Sequence, residues 1–258
     1  AVASRIKGFP PSSFAQQRAR PKELNADLIV IGGGIGGCAA ALAAVRNGMR
    51  VILTEETDWI GGQLTQQAVP PDEHPWIEIF GATRSYREFR SQIRDYYYRH
   101  YPLTPQAGSR RALNPGNGSV SKLCHEPRVA LAVLEQLLAP HVSGYQLIVL
   151  RRHKAVSADT HSDSVKAVTV RSLDSGHNLT LSGQFFIDAT EMGDLLPLTR
   201  TEYVTGFESQ SQTQEPHAPP QAQPQNIQSF TCCFAVDYLA GENHTIDKPE
   251  DYDFWKNY

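Results

Sequence analysis

Long hydrophobic runs are missing from this chain: every apolar stretch is broken within about ten residues, against the roughly 20 that a helix needs to cross a bilayer. A membrane span is excluded and a soluble protein with no membrane partner is expected. Charge of one sign is lacking too, since 24 Lys and Arg face 27 Asp and Glu for a formal net charge of −3, which gives no electrostatic basis for a nucleic-acid partner. Cysteine is scarce. Cys38, Cys124, Cys232 and Cys233 show neither CxxC nor metal-ligand spacing, so neither a metal site nor a disulfide framework follows, and reduced, buried thiols are expected. No internal repeat is visible, and residues 1–25 contain no apolar run of signal-peptide length, so they read as an N-terminal arm or a trimmed start. A cytoplasmic protein is favoured on that ground. The sequons at Asn117, Asn178 and Asn243 keep secretion as a second reading.

What is present, 258 residues of which 40% are hydrophobic and 20% charged, suffices for a buried core in one large α/β domain or a domain with an insertion. Residues 27–31 (DLIVI), an Ala-rich stretch at 35–47 and residues 50–54 (RVILT) read as strand, helix and strand, a βαβ unit with a parallel sheet. The spacing of Tyr86, Phe89, Ile93 and Tyr97 predicts a helix over 83–101, and Pro127 opens another over 127–139. From 144 to 190 the period becomes two: strands at 145–159, 165–173 and 179–190, parted by HSDS and DSGHN, form a β-meander. Residues 209–228, rich in Gln and Pro, predict a loop or flexible connector.

The strongest chemical signal is Gly32-Gly33-Gly34-Ile35-Gly36-Gly37, a G-x-G-x-x-G motif placed directly after a strand and opening a helix. Gly32 permits a tight turn, Gly34 lets backbone amides approach a pyrophosphate, and Gly37 lets helix and strand pack closely. Glu55 ends the second strand 23 residues after Gly32, the spacing at which a carboxylate accepts ribose hydroxyls. Strand, helix, strand and acid together make dinucleotide binding the reading, over a glycine-rich turn arisen by chance.

After Glu55 and Glu56 comes Thr57-Asp58-Trp59-Ile60-Gly61-Gly62-Gln63-Leu64, and later Phe186-Ile187-Asp188-Ala189-Thr190-Glu191-Met192-Gly193-Asp194. With ADLIVIGGGIGG and EYVTGFES, these segments resemble the FAD-dependent oxidoreductase family, of the glutathione-reductase-type FAD-binding fold, over roughly residues 25–258. The resemblance implies a Rossmann-like FAD-binding domain formed by 26–64 and 126–200, an insertion at 65–125 near the flavin, and an incomplete substrate or cap domain beginning at 201–258. It implies FAD as cofactor, with Gly61, Gly62, Gln63 and Leu64 turning along it, the backbone of the strand around Lys154, Ala155 and Val156 passing the adenine, and Ala189, Thr190 and Asp194 close by. Ile35 and Gly36 join the glycine turn at the same cofactor.

No residue is assigned to catalysis. Gln66, Gln67 and His74 are candidate donors beside the flavin, against a reading as a polar, Pro-braced loop. His125 titrates near neutrality when unperturbed, but a lone His before a helix is more often a cap or core group. Arg128 faces either the cofactor or solvent. Tyr96, Tyr97, Tyr98, His100 and Tyr101 form an aromatic wall or, for the most part, core. The pair Tyr252 and Lys256 matches a YxxxK pattern by coincidence. The expected activity is transfer of a hydride from a small-molecule substrate to FAD, reoxidised by oxygen or another acceptor. The alternative is a non-redox subunit in which the dinucleotide is structural; an NAD-dependent dehydrogenase is disfavoured by the Gly61-Gly62 pair and the DATEMGD segment. After Asp194 no second glycine turn of the kind that closes a flavin site is found, so a C-terminal continuation or a second chain is expected to complete it and to cover the apolar segment 227–240.

Overall fold

A computed structural model describes residues 22–234 and 236–257. The expected arm at 1–25 therefore lies outside the described residues up to residue 21, and its last residues belong to a strand. That strand, β1 (Glu23–Ile31), starts earlier than its apolar run because its polar half pairs in parallel with β6 (Asn178–Asp188), from Glu23 opposite Thr180 to Ile31 opposite Asp188. Then follow α1 (Ile35–Arg46), β2 (Val51–Glu55) and a 3-10 turn (Gly62–Leu64). Every residue of β2 is buried, as expected for an interior parallel strand covered on both faces.

The segment after the 3-10 turn forms α2 (Arg84–His100) and the short α3 (Pro105–Gly108). Thr83 caps α2 by accepting the Tyr86 amide, and Phe89, Ile93 and Tyr97 give it a buried stripe. The next helix, α4 (Pro127–Ser143), opens on its proline as expected but outlasts the predicted end at 139, because Pro140 falls in the last turn, where a forfeited intrahelical bond costs little.

The expected strand over 145–159 is two strands. Arg152 adopts φ 59° and breaks the chain between β3 (Leu147–Arg151), parallel to β2, and β4 (His153–His161), which runs antiparallel to β5 (Ser164–Ser172). The six strands form one sheet in the order β3-β2-β1-β6-β5-β4. The first four are parallel, and β6, β5 and β4 form the antiparallel meander. Ile29, Ile31 and Ile52 pack with Ala155, Val168, Val170 and Leu181, so the meander folds over one face of the parallel strands. Leu28, Val30 and Leu53 face the other way, into a core with Leu42, Val45, Val133 and Leu134 from α1 and α4. This is the Rossmann-like α/β architecture that the sequence implies.

Beyond α5 (Leu195–Thr199) the described chain adds only the short α6 (Gln210–Thr213) and α7 (Tyr252–Trp255). The Gln-rich stretch is a closed loop and not an open connector: Phe207 and Gln223 exchange backbone hydrogen bonds, and Ser209 and Gln212 form a reciprocal cap. Residues 227–239 expose Ile227, Phe230, Phe234, Val236 and Tyr238. Cys232 and Cys233, expected to be buried, are exposed because this segment packs on no core, whereas Cys38 and Cys124 are buried as free thiols.

Candidate functional site

The glycine motif divides into three jobs. Gly32 has φ +101°, and a Cβ there would stand 2.3 Å from the Ala189 carbonyl oxygen; a Cβ on Gly37 would stand 1.9 Å from the Gly32 carbonyl oxygen. These two glycines let strand, turn and helix touch. Gly34, at the start of α1, has an ordinary φ of −59°, and a Cβ there would meet only the Glu191 Oε1 tip, at 3.1 Å. The space over Gly34 is thus free of backbone, and the first amides of α1 have no intrahelical acceptor.

Glu55 is buried at the end of β2. Its Oε2 accepts the Gly33 amide at 3.1 Å, and its Oε1 accepts both the amide and the hydroxyl of Thr57 at 2.7 Å. The carboxylate therefore fixes the glycine turn and the following loop while still lining the cavity between them. Gly61 donates its amide to the Gly33 carbonyl at 2.8 Å, which ties the second glycine turn to the first. A third segment is organised by Asp188. Its Oδ1 accepts the amide and hydroxyl of Thr190 (3.0 and 2.7 Å), its Oδ2 accepts the Leu195 amide at 2.9 Å, and the Thr190 hydroxyl accepts the Asp194 amide at 2.7 Å.

These three segments, at the carboxyl ends of β1, β2 and β6, enclose a cavity of about 250 Å³. Of the sequence-based candidates, Gly32, Gly34, Glu55, Glu56, Gly62, Ala189, Thr190 and Asp194 line it, as do Gln66 and Gln67. Ile35, Gly36, Gly37, Gly61, Gln63 and Leu64 do not line it; Gly37 and Gly61 support the turns from behind, and Leu64 is core. Val156 is also absent from the lining, because a bulge between Ala155 and Ser157 takes it out of the β4 pairing. Lys154 of the same strand does line it, its Nζ 3.0 Å from Glu56 Oε1. His74 stands away, its ring tilted beside those of Trp76 and Phe80 and close to Gly81. The sequence reading missed Gly33, Thr57, Glu191 and Met192 as lining and Asp188 as organiser. Asp188 had a signal, an Asp at a strand end followed by small residues and Thr, which is turn chemistry.

A second cavity, about 570 Å³, shares Gln66 with the first and is lined by Asp58, Trp59, Glu126 and Arg128. The Arg128 guanidinium lies 6.0 Å from the Trp59 ring centre. Glu126 accepts the hydroxyls of Tyr97 and Tyr101 at 3.1 and 2.6 Å, so part of the aromatic wall serves to hold this carboxylate. His125 hydrogen-bonds the Glu126 carbonyl through Nδ1 at 3.1 Å, does not cap α4, and is held below the ordinary imidazole range by burial. Behind the glycine turn, burial and then Glu55 push the Cys38 thiol up to about 12, which leaves it protonated and inert. Among the described residues no group of three or more His, Cys, Asp or Glu is placed to hold a metal ion, and no helix is long and apolar enough to cross a membrane.

The residues fit a dinucleotide: a helix N-terminus opens under a backbone-free glycine, and an acid ends the adjoining strand, at the carboxyl edge of a parallel sheet. The model of the FAD dependent oxidoreductase family matches residues 27–257, and the chain belongs to that family, whose cofactor is FAD. A stretch of 60 residues is 43% identical to N,N-dimethylglycine/sarcosine dehydrogenase of Chromohalobacter salexigens, covering 23% of this chain and 8% of that protein. The chain thus spans under a tenth of that curated relative's length. Among solved structures, glycerol-3-phosphate dehydrogenase from Bacillus halodurans complexed with FAD is similar at 17% identity and a TM-score of 0.45, over 70% of this chain and 38% of that one. THI4 of Thermovibrio ammonificans is similar at 13% identity and a TM-score of 0.43, over 77% and 76% of the two chains.

Proposed function

We propose that the protein is an FAD-dependent dehydrogenase or oxidase of a small molecule, and that the 250 Å³ cavity is where the chain holds its cofactor. The observation that carries the reading is the open space over Gly34 at the start of α1, beside an acid whose two oxygens are already aimed into the turn. Bound FAD supplies the redox chemistry, accepting a hydride from the substrate and passing electrons to oxygen or another acceptor. The chain's own work is placement. The Gly34 amide and the positive end of α1 would face the diphosphate, and Glu55 would take ribose hydroxyls with its remaining lone pairs. Glu56 and Lys154 would border the adenosine, while Thr190, Asp194, Gln66 and Gln67 would flank the chain toward the flavin. The second cavity, with Arg128 over Trp59, would admit the substrate.

In this reading residues 26–64 and 126–200 form the FAD-binding domain, 65–125 are the insertion that walls the flavin side, and 201–258 begin a substrate or cap domain. Further protein, in the same polypeptide or a second one, would cover the exposed side chains of 227–239 and complete the flavin site. The visible spectrum of the purified protein tests the core of this reading. A flavin spectrum that bleaches anaerobically with an amine or alcohol substrate supports it, and a colourless protein that takes up no FAD removes it. Glu55→Gln refines the test. It should weaken FAD roughly tenfold by removing a charge-assisted bond, and destabilise the turn by about 1–3 kcal/mol, since an amide leaves one of the Gly33 or Thr57 donors unmatched.

A further inference from the structure

The cavity assigned to the diphosphate also holds a carboxylate of the chain itself. Glu191 Oε1 stands 3.1 Å from the place a Cβ on Gly34 would take and 2.8 Å from that of Gly62, so it lies between the two glycine turns at the start of α1. Its backbone is held by the bonds among Asp188, Thr190 and Asp194, so the carboxylate leaves this place by side-chain rotation and not by drift of the loop. The side chain is exposed, which makes that rotation sterically easy. Among the described residues Glu191 forms no ion pair, and Lys154, the lysine of the lining, is engaged by Glu56. The lining thus sets Glu55, Glu56, Glu191 and Asp194 against one lysine around a site that takes an anion.

We propose that Glu191 sets the affinity of the cofactor and its salt dependence, by presenting an internal anion at the seat of the diphosphate. The proposal rests on the reading of Gly34 and α1 as that seat. A carboxylate and a phosphate a few ångströms apart repel several times more strongly in a protein cleft than in bulk water. Both are drawn to the same amides and the same positive helix end. The diphosphate must therefore turn Glu191 aside, and the cost is electrostatic, since little packing is lost. A neutral residue at 191 removes this competition, and added salt weakens it.

The experiment is a titration of FAD into full-length protein stripped of flavin, followed by flavin fluorescence, for the parent, Glu191→Gln, Glu191→Ala and Gly34→Val placed on Glu191→Gln. At about 20 mM salt both Glu191 variants should bind FAD roughly three- to tenfold more tightly than the parent, and at about 500 mM salt the difference should fall below about twofold. Binding by both variants that is equal to or weaker than the parent at low salt overturns the proposal, and so does a gain that salt leaves unchanged. Because a Cβ on Gly34 would also meet Glu191 Oε1, Gly34→Val is read on the Glu191→Gln background, where it reports on the underlying reading: loss of FAD by a protein that still unfolds cooperatively upholds the seat, whereas affinity equal to that of Glu191→Gln would remove it.

Discussion

A methyl group added at Gly37 would stand 1.9 Å from the Gly32 carbonyl oxygen, whereas at Gly34 it meets only the movable tip of Glu191 at 3.1 Å. Gly37→Ala should therefore destabilise the fold on the order of 3 kcal/mol by urea unfolding, since backbone must shift. Gly34→Ala should leave the urea midpoint at or slightly above the parent's, because φ −59° suits alanine, yet bind FAD more weakly. A Gly34→Ala protein that unfolds as readily as Gly37→Ala would show that both glycines serve packing. Gly108 is the proper neutral control, since a Cβ there meets nothing, while one on Gly116 would stand 3.0 Å from the Cys124 carbonyl oxygen. His125 carries a pH prediction. Burial lowers its pKa, Arg90 lowers it further, and the Glu126 carbonyl and Glu73 oppose them. A base with a depressed folded pKa binds fewer protons folded than unfolded, so its contribution is whole above the ordinary value near 6.5 and is lost as pH falls through the folded value. Urea stability should decline on acidification below about 6.5, and the decline should be shallower in His125→Gln. Equal slopes in the two proteins would mean that other groups govern the acid limb.

The elements of the βαβ unit were legible because short continuous apolar runs flank an Ala-rich helix, with glycine at each joint. The break between β3 and β4 was not, since Arg152 takes a left-handed conformation with no glycine or asparagine to signal it. Glu55 could be read from its distance to the motif and the strand of Lys154 from the family resemblance, but Glu191 enters the cavity only through the sheet order, which sequence spacing does not reveal. The same holds for α2. Its Arg90 pairs with Glu73 and Glu78 of the preceding loop, Arg94 joins Glu78, and the Tyr86 hydroxyl donates to Glu73. Arg90 and Glu73 are both nearly fully buried, so this network anchors the 65–125 segment to its helix. Arg90→Met should cost about 3–5 kcal/mol by leaving Glu73 charged and unpaired. Pairing it with Glu73→Gln should recover a large part of the loss, because the desolvated charge is then gone. Additive losses in the double variant would show that the two side chains are not coupled.

At the scale of the whole molecule the described chain has two unlike parts. Residues 23–200 hold the six strands and both core clusters, whereas 203–257 contribute no strand and expose apolar side chain after apolar side chain. Phe230, Phe234 and Tyr238 are 89%, 81% and 87% exposed, while Phe89 and Tyr97 of α2 are 3% and 4% exposed. Cleavage by a protease needs several residues of extended, unpaired backbone, which the first group offers and helix α2 does not. Chymotrypsin at low dose should therefore cut this chain first at Phe230, Phe234 or Tyr238 and leave a resistant product that retains the sheet. If further protein covers 227–239, as proposed, the same sites should be spared when that protein is present, and binding of an apolar dye to the chain should fall in parallel. First cuts within α2 or the sheet would mean that the exposed segment is packed in solution. Unchanged cleavage at Phe230 with the covering protein bound would remove the proposal that this surface is its seat.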